Sequence, residues 1–277
     1  MKQEKGKMIN KKDFMLCGKI KKEDISKLNG DYLANIKFDG ERILAVIQNG
    51  EVFLFNRRGK LKNSYYREVE QELKTLNNCI LDGEVISFDD NFNKLQRRAL
   101  TTDKFKQEQL RKEIPVKYMV FDILQTGTCE LRFRKLKSRL QFLKNLIDFS
   151  LFNFVEVVEY KPIMEMLARA EQEDREGIII KNMDSQYERR RSNNWLKLKF
   201  FKTTELRLVK YAENNNGIRC EDKNLNAVQI AGKQHLEVKN KIDSEGYCEV
   251  IVQYLEKTKL GRLRFISYKE LKENVER

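Results

Sequence analysis

Lys37-Phe38-Asp39-Gly40-Glu41-Arg42 runs from the end of one strand-like run, Tyr32 to Phe38, to the start of the next, Ile43 to Gln48. The second run meets a third, Val52 to Asn56, through Gln48-Asn49-Gly50-Glu51. Asn-Gly readily adopts φ > 0, so this junction reads as a hairpin. Similar runs recur at Cys79 to Phe88, Tyr118 to Leu124 and Gly177 to Lys181. Helical spacing fills the intervals Tyr65 to Leu76, Lys104 to Lys112, Leu136 to Phe149 and Met164 to Glu173. In the third of these, Leu136, Leu140, Leu143 and Ile147 share one helical face, with charges on the other. Strands joined directly as hairpins and mixed with helices predict an α+β fold rather than a doubly wound one.

From about Leu206 the pattern turns to short strands alone: Leu206 to Ala212, Gly217 to Cys220, Ala227 to Ile230 and Tyr247 to Tyr254. A small, barrel-like all-β module is expected there, after a boundary near Lys202 to Glu205. The expected domains are therefore residues 1–203 and 204–277.

Composition narrows the chemistry. Lys plus Arg number 55 against 42 Asp plus Glu, a net charge of +13, which suits either a generic lysine-rich surface or a polyanionic partner. Cys17, Cys79, Cys129, Cys220 and Cys248 form no C-x-x-C, so neither a zinc ribbon nor a disulfide framework is expected. The single histidine, His235, lies in a strand-like run and reads as a packing or surface residue. One His disfavours a Ser-His-Asp triad and most zinc sites, leaving Lys, Arg, Glu and Asp to carry any chemistry. That set favours phosphoryl and nucleotidyl transfer, where positioning and charge neutralisation dominate. Met1 to Asp13 has no apolar stretch behind it, and no run approaches bilayer length, so a cytoplasmic protein with no membrane role is expected.

Within Lys37-Phe38-Asp39-Gly40, the lysine is a candidate nucleophile. A lysine amine attacks only when unprotonated, and a glycine nearby permits close approach of backbone and nucleotide. The plain alternative is an ordinary turn between strands. Four further segments follow: Leu81-Asp82-Gly83-Glu84-Val85, Tyr118 to Leu124 with Phe121 beside Asp122, Glu176-Gly177-Ile178-Ile179-Ile180-Lys181, and Trp195-Leu196-Lys197-Leu198-Lys199-Phe200. In the last, Lys197 and Lys199 share one strand face. Taken singly, each could be core, an ion-paired strand end or a solvated face.

As an ordered set they resemble the nucleotidyltransferase motifs of ATP-dependent DNA ligases, a superfamily shared with messenger-RNA capping guanylyltransferases and RNA ligases. The resemblance spans Lys37 to Phe200 and extends weakly to the C-terminus, where Tyr254-Leu255-Glu256-Lys257-Thr258 and Gly261-Arg262-Leu263-Arg264-Phe265 are similar to an oligonucleotide-binding (OB) domain. It implies a nucleotidyltransferase domain of antiparallel sheets with flanking helices, followed by a small all-β OB-fold domain.

It also implies roles. Lys37 would attack the α-phosphate of ATP and become lysyl-AMP, with Ile36 beside it in the nucleotide site. Arg42 and Arg57 (or Arg58) would contact ribose or phosphate and later the 5′-phosphate of a nick. Glu84 would bind the ribose, Phe121 would stack on adenine, and Lys197 with Lys199 would neutralise phosphates. Glu176, with Glu84, would hold Mg²⁺ or Mn²⁺, which takes carboxylate oxygen and needs no His. Arg189-Arg190-Arg191 reads either as solvated charge or as a contact to the DNA backbone. The implied partner is nicked duplex DNA, and a monomer is expected.

The family's last motif is only half matched, by Lys269-Glu270-Leu271-Lys272, and fewer than 40 residues precede Lys37, so a separate N-terminal DNA-binding domain is not expected. An RNA ligase, a GTP-dependent capping enzyme and a non-catalytic nucleic-acid-binding protein remain the competing readings.

Overall fold

The computed structural model describes residues 9–146, 151–258 and 261–272. The chain divides between Leu198 and Lys199 into two compact units.

The strands of the first unit are β1 (Leu16–Lys19), β2 (Tyr32–Ile36), β3 (Glu41–Gln48), β4 (Glu51–Asn56), β5 (Cys79–Ser87), β6 (Val116–Thr126), β7 (Cys129–Glu130), β8 (Val155–Val157), β9 (Lys161–Pro162), β10 (Gly177–Asn182) and β11 (Arg191–Lys199). Its helices are α1 (Arg67–Leu73), α2 (Phe92–Leu100), α3 (Lys104–Glu113), α4 (Leu136–Leu146) and α5 (Ile163–Gln172). One sheet runs β1-β11-β10-β2-β9, and the other runs β4-β3-β5-β6-β7 with β8 added against β6.

The hairpin closes as read. Asn49 and Gly50 take φ of 54° and 77°, which aligns Gln48 with Glu51 and sets the register of β3 on β4. That register sends Ile43, Ala45 and Ile47 to one core, shared with Val69 and Leu73 of α1, Leu95 of α2 and Leu143 of α4. Leu44 and Val46 go to a second core, with Phe14, Met119, Phe121 and Trp195. The first core joins one sheet to its helices, and the second joins the two sheets.

Two buried carboxylates face one another across β5 and β6, where Asp82 is the register partner of Asp122. Each has its own arginine. Arg42 on β3 grips Asp82 at 3.0 and 2.6 Å, and Arg139 on α4 grips Asp122 at 2.8 Å through both nitrogens. Charges removed from water persist only when paired and hydrogen-bonded in this way.

Three expectations need correction. The sheets are not wholly antiparallel, because β1 runs parallel to β11 and β8 parallel to β6. Helix α2 occupies a stretch with no expected element. Asn91 caps it by accepting from Lys94 N at 3.1 Å, and within it Leu95 and Arg98 are buried, Arg98 by pairing with Glu68. The C-terminal part is not all-β, as described next. The expected continuation of α4 over Ile147 to Phe149, and the segment Met1 to Met8, lie outside the described residues.

The second unit contains β12 (Lys202–Asn214), β13 (Gly217–Asp222), β14 (Ala227–Ile230), α6 (Gln234–Glu245), β15 (Cys248–Tyr254), β16 (Glu256–Lys257), β17 (Leu263–Arg264) and β18 (Ser267–Leu271). Strand β12 begins at Lys202, three residues after the division between the units. Its main sheet runs β14-β13-β12-β15-β18, and β14 also approaches β18. His235 lies on α6, not in a strand, and is exposed. The helix buries Val238 and Ile242, one turn apart, and stops at Gly246 in the left-handed conformation, φ 77°.

Among the described residues no helix is long and apolar enough to cross a membrane. The five cysteines are unbridged.

Candidate active site

Lys37 follows β2 directly. Its backbone N–H donates to Gly177 O at 2.9 Å, continuing the ladder that pairs Ile36 with Ile178. This seats Lys37 beside Glu176, and Lys37 Nζ forms a largely buried ion pair with that carboxylate. Three residues on, Gly40 meets β5. A Cβ at Gly40 would lie 2.2 Å from Val85 O and 2.8 Å from Glu84 Cγ. Glycine is therefore required here for approach to a neighbouring strand, which in turn sets Glu84 near Lys37.

Lys37 opens onto a cavity of about 230 Å³ whose walls come from both sheets. Of the residues expected at a nucleotide site, Ile36, Lys37, Arg42, Arg57, Glu84, Phe121 and Lys197 line it, and so does Arg191. Arg57 lines it and Arg58 does not. Glu176 reaches the site through its pair with Lys37.

The arginine on β3 is already committed. Besides Asp82, Arg42 donates to Met15 O at 2.7 Å, and its guanidinium lies 5.2 Å from the Phe121 ring centre. Burial works against its charge, but Asp82 holds that charge firmly in place, well above the ordinary arginine value. Glu84 is the opposite case. Burial pushes its carboxyl up to about 7, although Lys37 and Arg42 pull it down.

Among the cavity residues that were not anticipated, Asn35, Lys181 and Trp195 bring polar or cationic atoms to the site. For Trp195 strand alternation offered a signal, since it shares a face with Lys197. Lys181 is buried against the rings of Trp195, Phe121 and Tyr160, at 4.0, 4.3 and 5.1 Å, and donates to Tyr160 Oη at 2.6 Å. Burial lowers its ammonium to about 7 against the pull of Asp122. Asn35 Oδ1 and Trp195 Nε1 are buried and have no hydrogen-bond partner among the described residues. Orphaned buried polar atoms in a cavity wall are the mark of a site completed by something else.

Other expected residues lie elsewhere. Lys199, the first residue of the second unit, sits 5.3 Å from the Phe265 ring of the same unit. Arg189 is 3.5 Å from Asp13 and Arg190 pairs with Glu188 at 2.6 Å, whereas Arg191, which lines the cavity, donates to Cys17 O. In the second unit, Lys272 Nζ is held by Glu205 at 2.7 Å and Glu249 at 3.4 Å, while Lys269 is exposed. Among the described residues no three His, Cys, Asp or Glu side chains gather as a metal site.

A family model described as "ATP dependent DNA ligase domain" matches residues 14–199. A DNA ligase of Nitrosopumilus maritimus is 27% identical over 198 residues, covering 67% of this chain and 34% of that protein. The chain thus spans about a third of the length of that relative. Among solved structures, Pmar-Lig_PreS3 superposes with a TM-score of 0.74 at 23% identity, over 94% of this chain and 67% of that one. A Lig E DNA ligase, described as binding DNA with a minimal scaffold, superposes with a TM-score of 0.67 at 18% identity, over 94% of this chain and 98% of that one. At these identities the structural likeness establishes the fold.

Proposed function

The chain belongs to the ATP-dependent DNA ligase family, and from that premise we propose that it seals nicks in duplex DNA using ATP, with Lys37 as the nucleophile. The observation that carries this reading is the convergence of Lys37, Arg57, Glu84, Phe121 and Lys197 on one cavity.

The cavity suits a nucleotide. A purine edge offers both a donor and an acceptor, matching the orphaned Asn35 Oδ1 and Trp195 Nε1. Phe121 supplies an aromatic face, and Arg57, Arg191 and Lys197 supply positive charge for phosphate oxygens. In the proposed first step, Lys37 Nζ forms a bond to the α-phosphorus, the bond to the β-phosphate oxygen breaks, and pyrophosphate leaves. The ion-paired ammonium gives up two protons in all: one before attack, which Glu176, already its hydrogen-bond acceptor, is placed to take, and one as the N–P bond forms, which passes to water or to the departing pyrophosphate. AMP then passes to the 5′-phosphate of the nick, and the 3′-hydroxyl displaces it to join the strand.

Mg²⁺ is commonly bound by one or two carboxylates together with substrate phosphates and water, so the lack of a three-residue cluster is compatible with it. Glu84 and Glu176 would hold it, and it would neutralise charge on the phosphates.

We assign the second unit as an OB fold. Five strands in the order β14-β13-β12-β15-β18, curling so that β14 nears β18, match a small, partly open barrel.

The test is incubation with Mg²⁺ and α-labelled ATP or GTP, followed by nicked DNA or RNA. The expected result is acid-labile label from ATP that is absent in Lys37→Ala and discharged by nicked DNA. Label from GTP alone would point to capping chemistry, and no label from either nucleotide would overturn the assignment.

A further inference from the structure

Arg57 enters the cavity from the short loop after β4, and the question is what fixes that loop. Asn56 is its hub. Asn56 Oδ1 accepts the backbone N–H groups of Arg58 and Lys60, each at 3.0 Å. The Asn56 backbone closes the same turn, donating to Lys60 O at 3.0 Å and accepting from Gly59 N at 2.8 Å. The peptide on the C-terminal side of Arg57 therefore hangs on the Asn56 amide oxygen, and the residue on its N-terminal side is Asn56 itself.

An asparagine amide can present either end, so its orientation must be set from outside. Asn56 Nδ2 donates to Glu41 Oε1 at 2.8 Å, and a carboxylate accepts only the NH₂ end. Glu41 is itself held. Tyr66 Oη donates to Glu41 Oε2 at 2.6 Å, and Lys62 Nζ lies 3.3 Å from Oε1. Tyr66 and Lys62 are both buried, and Lys62 also donates to Ala99 O at 3.0 Å. Gly59 completes the lock with φ 75°, at a place where a Cβ would lie 2.6 Å from Ile9 O.

We infer that Glu41 is a positioning residue, acting through Asn56 to hold the Arg57 loop in the geometry that the nick-sealing steps need. Glu41 lies beside Arg42 on β3 and four residues from Lys37. The segment bearing the nucleophile thus also aims an arginine on a different loop. The inference rests on the ligase reading for what Arg57 does, but the hydrogen-bond relay is independent of it.

Two measurements test it. The first is amide exchange at Arg58 and Lys60, in the wild type and in Glu41→Gln and Glu41→Ala. Protection is expected in the wild type and is expected to fall in Glu41→Ala. Unchanged protection would overturn the relay, whichever nucleotide the protein uses.

The second is discharge of pre-adenylated protein by nicked DNA, in a cycle with Arg57→Ala. Glu41→Ala is expected to slow discharge about tenfold or more when Arg57 is present, as small misplacements of a positioning group do. In the Arg57→Ala background the same change is expected to have less than about a twofold effect, because both act on one path. Equal slowing in both backgrounds would show a general structural role and overturn the inference. A charge-exchanged pair guards against misfolding. Asn56→Asp alone opposes two carboxylates, and adding Glu41→Gln restores a donor facing an acceptor, so the double variant should recover discharge. Wild-type protein that fails to take up AMP would refute the ligase reading and leave the exchange result to judge the relay.

Discussion

Replacing Lys181 with methionine removes an ammonium from among three aromatic rings while keeping an unbranched chain of similar length. Tyr160 Oη keeps its own role as donor to Phe121 O at 2.7 Å, so no hydroxyl is stranded. The sign follows from the two protonation states. Lys181 titrates near 10.5 when unfolded and at about 7 when folded, because burial penalises the charge. Between those values the unfolded chain holds a proton that the folded chain has released, so wild-type stability rises with pH across that window. Below about 7 both states are charged and the full burial cost applies. At about 1.4 kcal/mol per tenfold change, that cost is roughly 5 kcal/mol at pH 5.5 and roughly 2 kcal/mol at pH 9. Lys181→Met lacks this dependence. Its stability relative to wild type should therefore decline by about 3 kcal/mol between pH 5.5 and pH 9, whatever the constant contribution of lost ring and hydroxyl contacts. Urea unfolding followed by tryptophan fluorescence measures this directly, since the only tryptophan, Trp195, lies against Lys181 and reports the first unit alone. A difference between variant and wild type that stays flat from pH 5.5 to pH 9 would refute a buried, neutralised Lys181.

Gly40→Ala should destabilise the first unit by about 1–3 kcal/mol and abolish charging of Lys37, because its Cβ would press into the β5 backbone; a stable, fully active variant would show that the glycine has no steric duty. Glu84 should become a carboxylate only above about pH 7, so ATP affinity measured by calorimetry should increase from pH 6 to pH 8 in the wild type relative to Glu84→Gln, and parallel profiles would refute its role at the ribose. Affinity for nicked DNA should fall steeply with salt, as counterion release demands of a chain carrying +13. A shallow slope in fluorescence anisotropy titrations would remove the backbone-binding role of the basic surface.

What could be read from residues alone follows from how local the cause is. The Asn49-Gly50 turn, the alternation of β3 and the helical stripe of α4 are set by neighbours within a few positions, and each was legible. Helix α6 was not, because its buried stripe is only Val238 and Ile242, too short a signal to outweigh the strands around it. The parallel pairs β1–β11 and β6–β8 join segments remote in the chain, and no local pattern announces them. At the site, Lys37, Glu84 and Phe121 stood out as members of a recognisable ordered set. Lys181 did not, since its character comes from Tyr160, Phe121 and Trp195, which three other segments contribute. The same holds for Asn35. Its importance lies in an unpaired amide oxygen, a property of packing that composition cannot express.

The paired acids Asp82 and Asp122 carry a consequence for which substitutions this chain can bear. Each carboxylate is neutralised by an arginine from a different element, and the two acids oppose one another across β5 and β6. Loss of either arginine would leave two opposed buried anions with a single guanidinium between them, at a cost of several kcal/mol, a large fraction of what keeps a domain folded. Arg42, Asp82, Asp122 and Arg139 are thus energetically tied together as a block. Exchanging an acid together with its arginine should therefore cost less than either change alone, because each single change strands a buried charge.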